Sequence, residues 1–193
     1  MKRLLGRAWL RLHGWKSSGV LDQKKFVLIA APHTSNWDLF FMLAVAADMG
    51  VRVRWLGKHT LFRGPMGWLM RGLGGIPVVR SSRQNMVEQA AALFDGADAL
   101  ILAVPPEGTR KSVDYWRSGF YWIAHTAKVP IGLGFLDYGG RRGGVGGFVW
   151  TTGDVRKDLG VLRDFYADKR GKIPAYESVP RLREEEEDDA PAA

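Results

Sequence analysis

The stretch "APHTSNWD", residues 31–38, sets a histidine and a carboxylate five positions apart directly after the apolar run "KFVLIA". On one continuous helix that spacing would turn the two side chains about 140° from each other. If His33 instead stands in a turn and a helix begins near Ser35 or Asn36, Asp38 falls in the first turn, where the helix dipole favours negative charge, and His33 can fold back over it. An imidazole with an unperturbed pKa of about 6.5 can then take a proton from a hydroxyl while the carboxylate fixes its tautomer and steadies the cation. The same spacing also occurs in an ordinary capped strand-to-helix turn. Ser35 is adjacent, but no G-x-S-x-G elbow surrounds it, which argues against a serine nucleophile.

A second cluster, "VPPEGTRK", follows another apolar run. Pro105 and Pro106 end a strand, Gly108 permits a tight turn, and Glu107, Thr109 and Arg110 present a carboxylate, a hydroxyl and a guanidinium at one edge. The planar donors of arginine match phosphate oxygens. Two roles stay open to Glu107: accepting from a substrate hydroxyl, or pairing with Arg110.

The elements needed to hold these residues are readable from pattern. "FVLIA" reads as a strand, "LFFMLAVAADMG" as a helix stopped by Gly50, and "VRVRWLG" as the next strand. "HTLFRGPMGWLMRGLGG" reads as short helix and loop, "IPVVR" as a short strand, and "SRQNMVEQAAALFDG" as a helix ending near Gly96. "DALILAVP" is a buried strand, "GFYWIAHTAK" a helix, "VPIGLGFLDY" and "GGFVWTTG" strands, and "DVRKDLGVLRDFYADKR" a closing helix. "GGRRGGVGG" reads as a flexible connection whose Arg141 and Arg142 meet anions, without the spacing of a nucleotide-binding loop. His13, His59 and His125 read as packing or surface residues. Strands alternating with helices predict an α/β fold with a mixed, largely parallel sheet flanked by helices.

Composition narrows the chemistry. The net charge is +8 even though residues 184–189 are six consecutive acids, which leaves +14 on the rest of the chain. Such a body seeks phosphate, whether on nucleic acid, an anionic membrane or a small substrate. With no cysteine, disulfides, cysteine zinc sites and a cysteine nucleophile are excluded.

Taken in order, "HTSNWD", "GGIPVVR", "PEGTRK" and "VPIGLG" resemble the motif blocks of the glycerolipid acyltransferase family, which includes 1-acylglycerol-3-phosphate acyltransferases, over about residues 26–137. The resemblance implies a glycerol-3-phosphate acyltransferase-like fold, with His33 as general base and Asp38 as its partner. It also implies that Arg80, Glu107, Gly108, Thr109 and Arg110 bind the acceptor, and that Val129, Pro130 and Ile131 lie on the acyl-donor side. Relatives often carry a second proline two residues after that isoleucine, where this chain has Leu133. The implied reaction moves a fatty acyl group from a thioester, on coenzyme A or acyl carrier protein, to the hydroxyl of a lysophospholipid, with no metal or bound cofactor.

At the N-terminus, Leu4, Leu5, Ala8, Trp9, Leu12 and Trp15 share one helical arc, with Lys2, Arg3, Arg7 and Arg11 largely opposite and Leu10 out of place. Residues 1–18 are therefore expected to form an amphipathic helix that either lies in an anionic membrane surface or packs on the domain. Arg7 and Arg11 interrupt any signal-peptide core, and no run is long enough to span a bilayer. Residues 19–180 are expected to form the acyltransferase domain, with the stretch from Trp55 to Leu73 guiding an acyl chain. Residues 181–193 are expected to be a disordered acidic tail. The expected location is cytoplasmic, peripheral on the inner face of the cell membrane. The alternative is a basic protein that binds membrane or nucleic acid without catalysis; no nucleic-acid-binding motif is present and no such partner is expected.

Overall fold

A computed structural model describes residues 2–78 and 83–187. Seven strands form one sheet in the order β1-β7-β6-β2-β5-β3-β4, with β1 at Lys16–Gly19, β2 at Lys25–Ile29, β3 at Val53–Lys58, β4 at Gly75–Val78, β5 at Leu100–Val104, β6 at Ile131–Asp137 and β7 at Arg142–Val149. Every neighbouring pair is parallel except β6 with β7. The expected mixed, largely parallel sheet is thus present.

Alternation along the strands sorts the core into two layers, because successive side chains point to opposite faces. Val27, Ile29, Leu100 and Leu102 face one side, where they pack with α4 (Arg83–Ala92), α5 (Gly119–Ala127) and α6 (Val155–Tyr166). Phe26, Leu28, Ile101 and Ala103 face the other, towards Met42 of α2 (Trp37–Met49). On that side α1 (Lys2–Leu12) lies against α2, and a 3₁₀ turn at His59–Phe62 with α3 (Gly64–Gly72) sits beside β3 and β4.

The packing of α1 inverts its sequence pattern. Gly6 and Leu10, one helical turn apart, are the buried residues, while Leu4, Leu5 and Leu12 of the apolar arc are exposed. Gly6 makes this possible, since a Cβ there would lie 2.7 Å from the carbonyl oxygen of Ala44. Asp48, near the end of α2, fastens the helix: its carboxylate accepts from Arg7 Nε at 2.9 Å and from the Ser17 hydroxyl, and its carbonyl accepts from Arg3 Nε at 2.9 Å. The Ser17 hydroxyl, and after it Arg7, holds the Asp48 carboxyl below the usual carboxylate range.

Two expectations are corrected. The glycine-rich "GGRRGGVGG" is mostly strand β7, with only a short turn before it; a Cβ at Gly144 would lie 1.6 Å from the Ser18 carbonyl oxygen, and one at Gly146 would lie 2.1 Å from the Phe165 ring. Its glycines serve close approach rather than flexibility. Order also continues past Pro180: Leu182 is fully buried, and Glu185 pairs with Arg163 Nη1 at 2.6 Å ahead of the end of α7 (Glu184–Glu187). Residues 188–193 lie outside the described ones.

Candidate active site

Strands β2 and β5 are neighbours, with Ile29 opposite Val104, so the two motif loops leave the sheet side by side. The chain passes from β2 into α2 on one face and from β5 into α5 on the other, which parts the loops and opens a crevice at the carboxyl ends of the strands. After β2 comes a cis Ala31–Pro32 peptide and then His33. Helix α2 starts behind Asn36, whose side chain makes no capping bond; Asp38 supplies the acceptor instead.

Asp38 is buried and bonded on both oxygens. Its Oδ2 accepts from Thr34 N and Ser35 N, each at 2.9 Å, and faces His33 Nδ1 at 3.1 Å, while Oδ1 accepts from the Tyr138 hydroxyl at 2.8 Å. Surrounded by donors, the carboxylate acts as acceptor throughout, so His33 Nδ1 carries the proton and Nε2 is left with a free lone pair. Only a quarter of the His33 side chain is exposed, against 7% for Asp38. The pair is therefore oriented from inside and approached from outside.

Glu107 lies beneath the same loop. Its Oε1 accepts from the His33 main-chain N–H at 3.1 Å, and its Oε2 is buried without a hydrogen-bond partner among the described residues. Burial pushes its carboxyl pKa up, partly offset by the backbone N–H bonds it accepts. Among the described residues no ion pair joins it to Arg110, so the pairing left open by the sequence is not the one formed. Gly108 turns at φ +66, and a Cβ there would meet Arg117 Nε at 2.5 Å. Thr109 and Arg110 are exposed at the edge of the crevice.

Two cavities meet at this point. One of about 360 Å³ is mainly apolar, lying between α2 and the sheet with Met42, Met49, Val53, Trp55 and Leu73 in its wall. The other, of about 590 Å³, is bounded by Thr34, Thr109, Lys111, Ile173 and Tyr176. His33, Asn36, Pro105 and Arg110 border both.

The structure does not gather every expected residue. Arg80 lies outside the described ones. Val129, Pro130 and Ile131 are at the start of β6, where Ile131 is level with Val27, so they stand at the end of the sheet away from His33. Val129 and Ile131 are sealed into the core with α5, and none of the three borders either cavity. In the fold the block leads into a buried strand. Several residues of the site escaped the sequence reading. Tyr138 reaches Asp38 across 100 positions, and Ile173 and Tyr176 come from a segment after α6 that is tied back by Ile173 N donating to Thr34 Oγ1 at 3.2 Å. Only folding brings them together.

A crevice that holds a His–Asp pair and joins an apolar cavity to a polar one suits an enzyme that moves an acyl group. A family model described as Acyltransferase matches residues 16–132, and the chain belongs to the acyltransferase family. Among solved structures it is similar to the 1-acyl-sn-glycerophosphate (LPA) acyltransferase PlsC from Thermotoga maritima, with a TM-score of 0.56 and 17% identity over 85% of this chain and 74% of that one. That likeness is one of fold. None of the curated proteins matches the chain.

Proposed function

We propose that this acyltransferase moves a fatty acyl group from a thioester of coenzyme A or acyl carrier protein to the hydroxyl of a lysophospholipid such as 1-acylglycerol-3-phosphate. The observation that carries the reading is the position of His33 at the junction of the two cavities. The apolar cavity suits an acyl chain, and the polar one, with Arg110 and Lys111 at its edge, suits a phosphorylated headgroup. His33 Nε2 takes the hydroxyl proton as the oxygen attacks the thioester carbonyl, and Asp38 steadies the imidazolium. The C–O ester bond forms, the C–S bond breaks, and the same proton passes to the leaving thiolate. The balance closes without a metal or bound cofactor. Glu107 holds the His33 backbone; Arg110, with Gly108, Thr109 and Arg80, contributes to acceptor binding.

The reading extends to a membrane surface. Leu4, Leu5 and Leu12 on α1, Trp37 and Phe40 on α2, and Met66 and Trp68 on α3 are exposed, and α1 and α3 carry no acidic residue. Basic and apolar groups on such elements favour the headgroup region of an anionic leaflet, which supports a peripheral, cytoplasmic-face enzyme. Among the described residues no helix is long and apolar enough to cross a membrane.

The test offers acyl-CoA and acyl carrier protein thioesters with a panel of lysophospholipids, following free thiol and product mass. Acyl transfer to a lysophospholipid that disappears in His33→Ala is the expected result. Transfer that survives in His33→Ala would remove the histidine from its role, and transfer confined to acceptors without phosphate would overturn the acceptor class.

A further inference from the structure

Tyr138 stands just beyond the end of β6, and its hydroxyl is the sole side-chain donor on Oδ1 of Asp38 among the described residues, at 2.8 Å. Several contacts fix the ring. Trp15 meets it edge to face with centroids 4.8 Å apart, Phe41 does so at 5.7 Å, and Lys172 Nζ lies 5.6 Å from its centroid. Its main-chain N–H donates to the Arg170 carbonyl at 2.8 Å. The phenol is therefore held from three sides and aimed at the carboxylate.

We propose that Tyr138 is a positioning residue for the His33–Asp38 pair: its hydroxyl locks the carboxylate plane and disperses the negative charge that the imidazolium feels. The proposal rests on the reading of His33 as the base. The geometry divides the labour on Asp38. Oδ2 is fixed by the two backbone N–H groups of its own turn and serves His33, while among the described residues Oδ1 is held by the Tyr138 hydroxyl alone. A carboxylate held on one oxygen alone can rock about its terminal torsion, which is broad. Burial and the neighbouring carboxylate drive the phenol pKa far above its ordinary value, so Tyr138 remains a donor wherever the enzyme works.

Removing the donor concentrates charge on Asp38, which favours the imidazolium. Among the described residues, the other charged or titratable groups around the pair are Glu107, Arg110 and Lys111 on the loop after β5, Lys172 and Tyr176 on the segment after α6, and His13 behind Phe41. All of them stay constant in the comparison.

The experiment uses Tyr138→Phe in the full chain. The His33 ring is titrated by NMR, and kcat and KM are measured against pH with an acyl thioester and a lysophospholipid. The expected result is a kcat lower by roughly tenfold at an unchanged acceptor KM, with the NMR midpoint and the acid limb of the kcat profile both moved to higher pH. Replacing Tyr138 by a fluorinated tyrosine, a stronger donor of nearly the same shape, should move the midpoint down. A His33 titration the same in all three proteins, or an activity loss that matches a loss of folded protein, overturns the proposal. His33→Ala in parallel separates this from failure of the base itself, since retained transfer in that variant would sink the underlying reading instead.

Discussion

The main-chain N–H of His33 donates to Oε1 of Glu107 at 3.1 Å, so the acid of the second motif props the backbone of the first. The two clusters are one structure, joined across 74 positions. Glu107 is buried, and its carboxyl pKa is raised by that burial. A carboxyl with a raised folded-state pKa contributes stability that is fully present below its unfolded value, about 4.3, and lost as pH climbs through the folded value. Glu107→Gln keeps an acceptor for the His33 N–H but removes the ionisation. In urea denaturation the variant should gain on the wild type as pH rises from about 4 to 8; a difference independent of pH would show that the carboxyl is not desolvated.

Asp38 serves the fold as well as His33. Asp38→Ala removes the acceptor for Thr34 N and Ser35 N together with the partner of His33. Unfolding stability should drop by about 1–3 kcal/mol, and kcat should fall by roughly 10²–10⁴-fold. His33→Ala should show the second loss with little of the first, because its ring faces the crevice. Equal stability losses in the two variants, measured by denaturant titration, would contradict this division.

The exposed leucines of α1 contribute little to its packing, so changing Leu4, Leu5 and Leu12 to serine together should leave the protein folded. Binding to anionic vesicles should weaken by roughly tenfold or more in a sedimentation assay, with the melting temperature preserved. Unaltered vesicle binding would exclude α1 as a contact with lipid.

Gly6 is the point at which α1 closes onto α2. Valine there would drive a side chain into the Ala44 carbonyl oxygen and the Ala47 methyl group, the latter 2.8 Å from the position of a Cβ. Overpacking of this kind should cost about 1–3 kcal/mol. Limited proteolysis should then cut between α1 and β1, a region tied down in the native protein by Ser17 and Asp48. Resistance equal to wild type would mean that the helix contact tolerates a larger residue.

The local half of this architecture was legible in the sequence. An apolar run, a turn and a helix with an acid in its first turn predict the His33–Asp38 approach from spacing alone, because every group involved lies within six positions. Helices α2 to α6 and β2 to β6 follow from periodicity and stop signals for the same reason. What stayed hidden is set by distant partners. The first half of strand β7 looks like a loop by composition, since its glycines are required by the Ser18 carbonyl and the Phe165 ring rather than by any local turn. Strand β1 is only four residues, mostly exposed, and exists through its pairing with β7. Tyr138, Ile173 and Tyr176 carry no neighbouring signal that marks them for the crevice. The block at Val129, Pro130 and Ile131 shows the converse, a recognisable pattern whose place in the fold is packing.

Gly6 puts the backbones of α1 and α2 in contact with nothing between them, and Asp48 bolts their ends together. The outer helix is therefore a plate rather than a flap. Anything that engaged its leucines would act directly on α2, whose first turn carries Asp38.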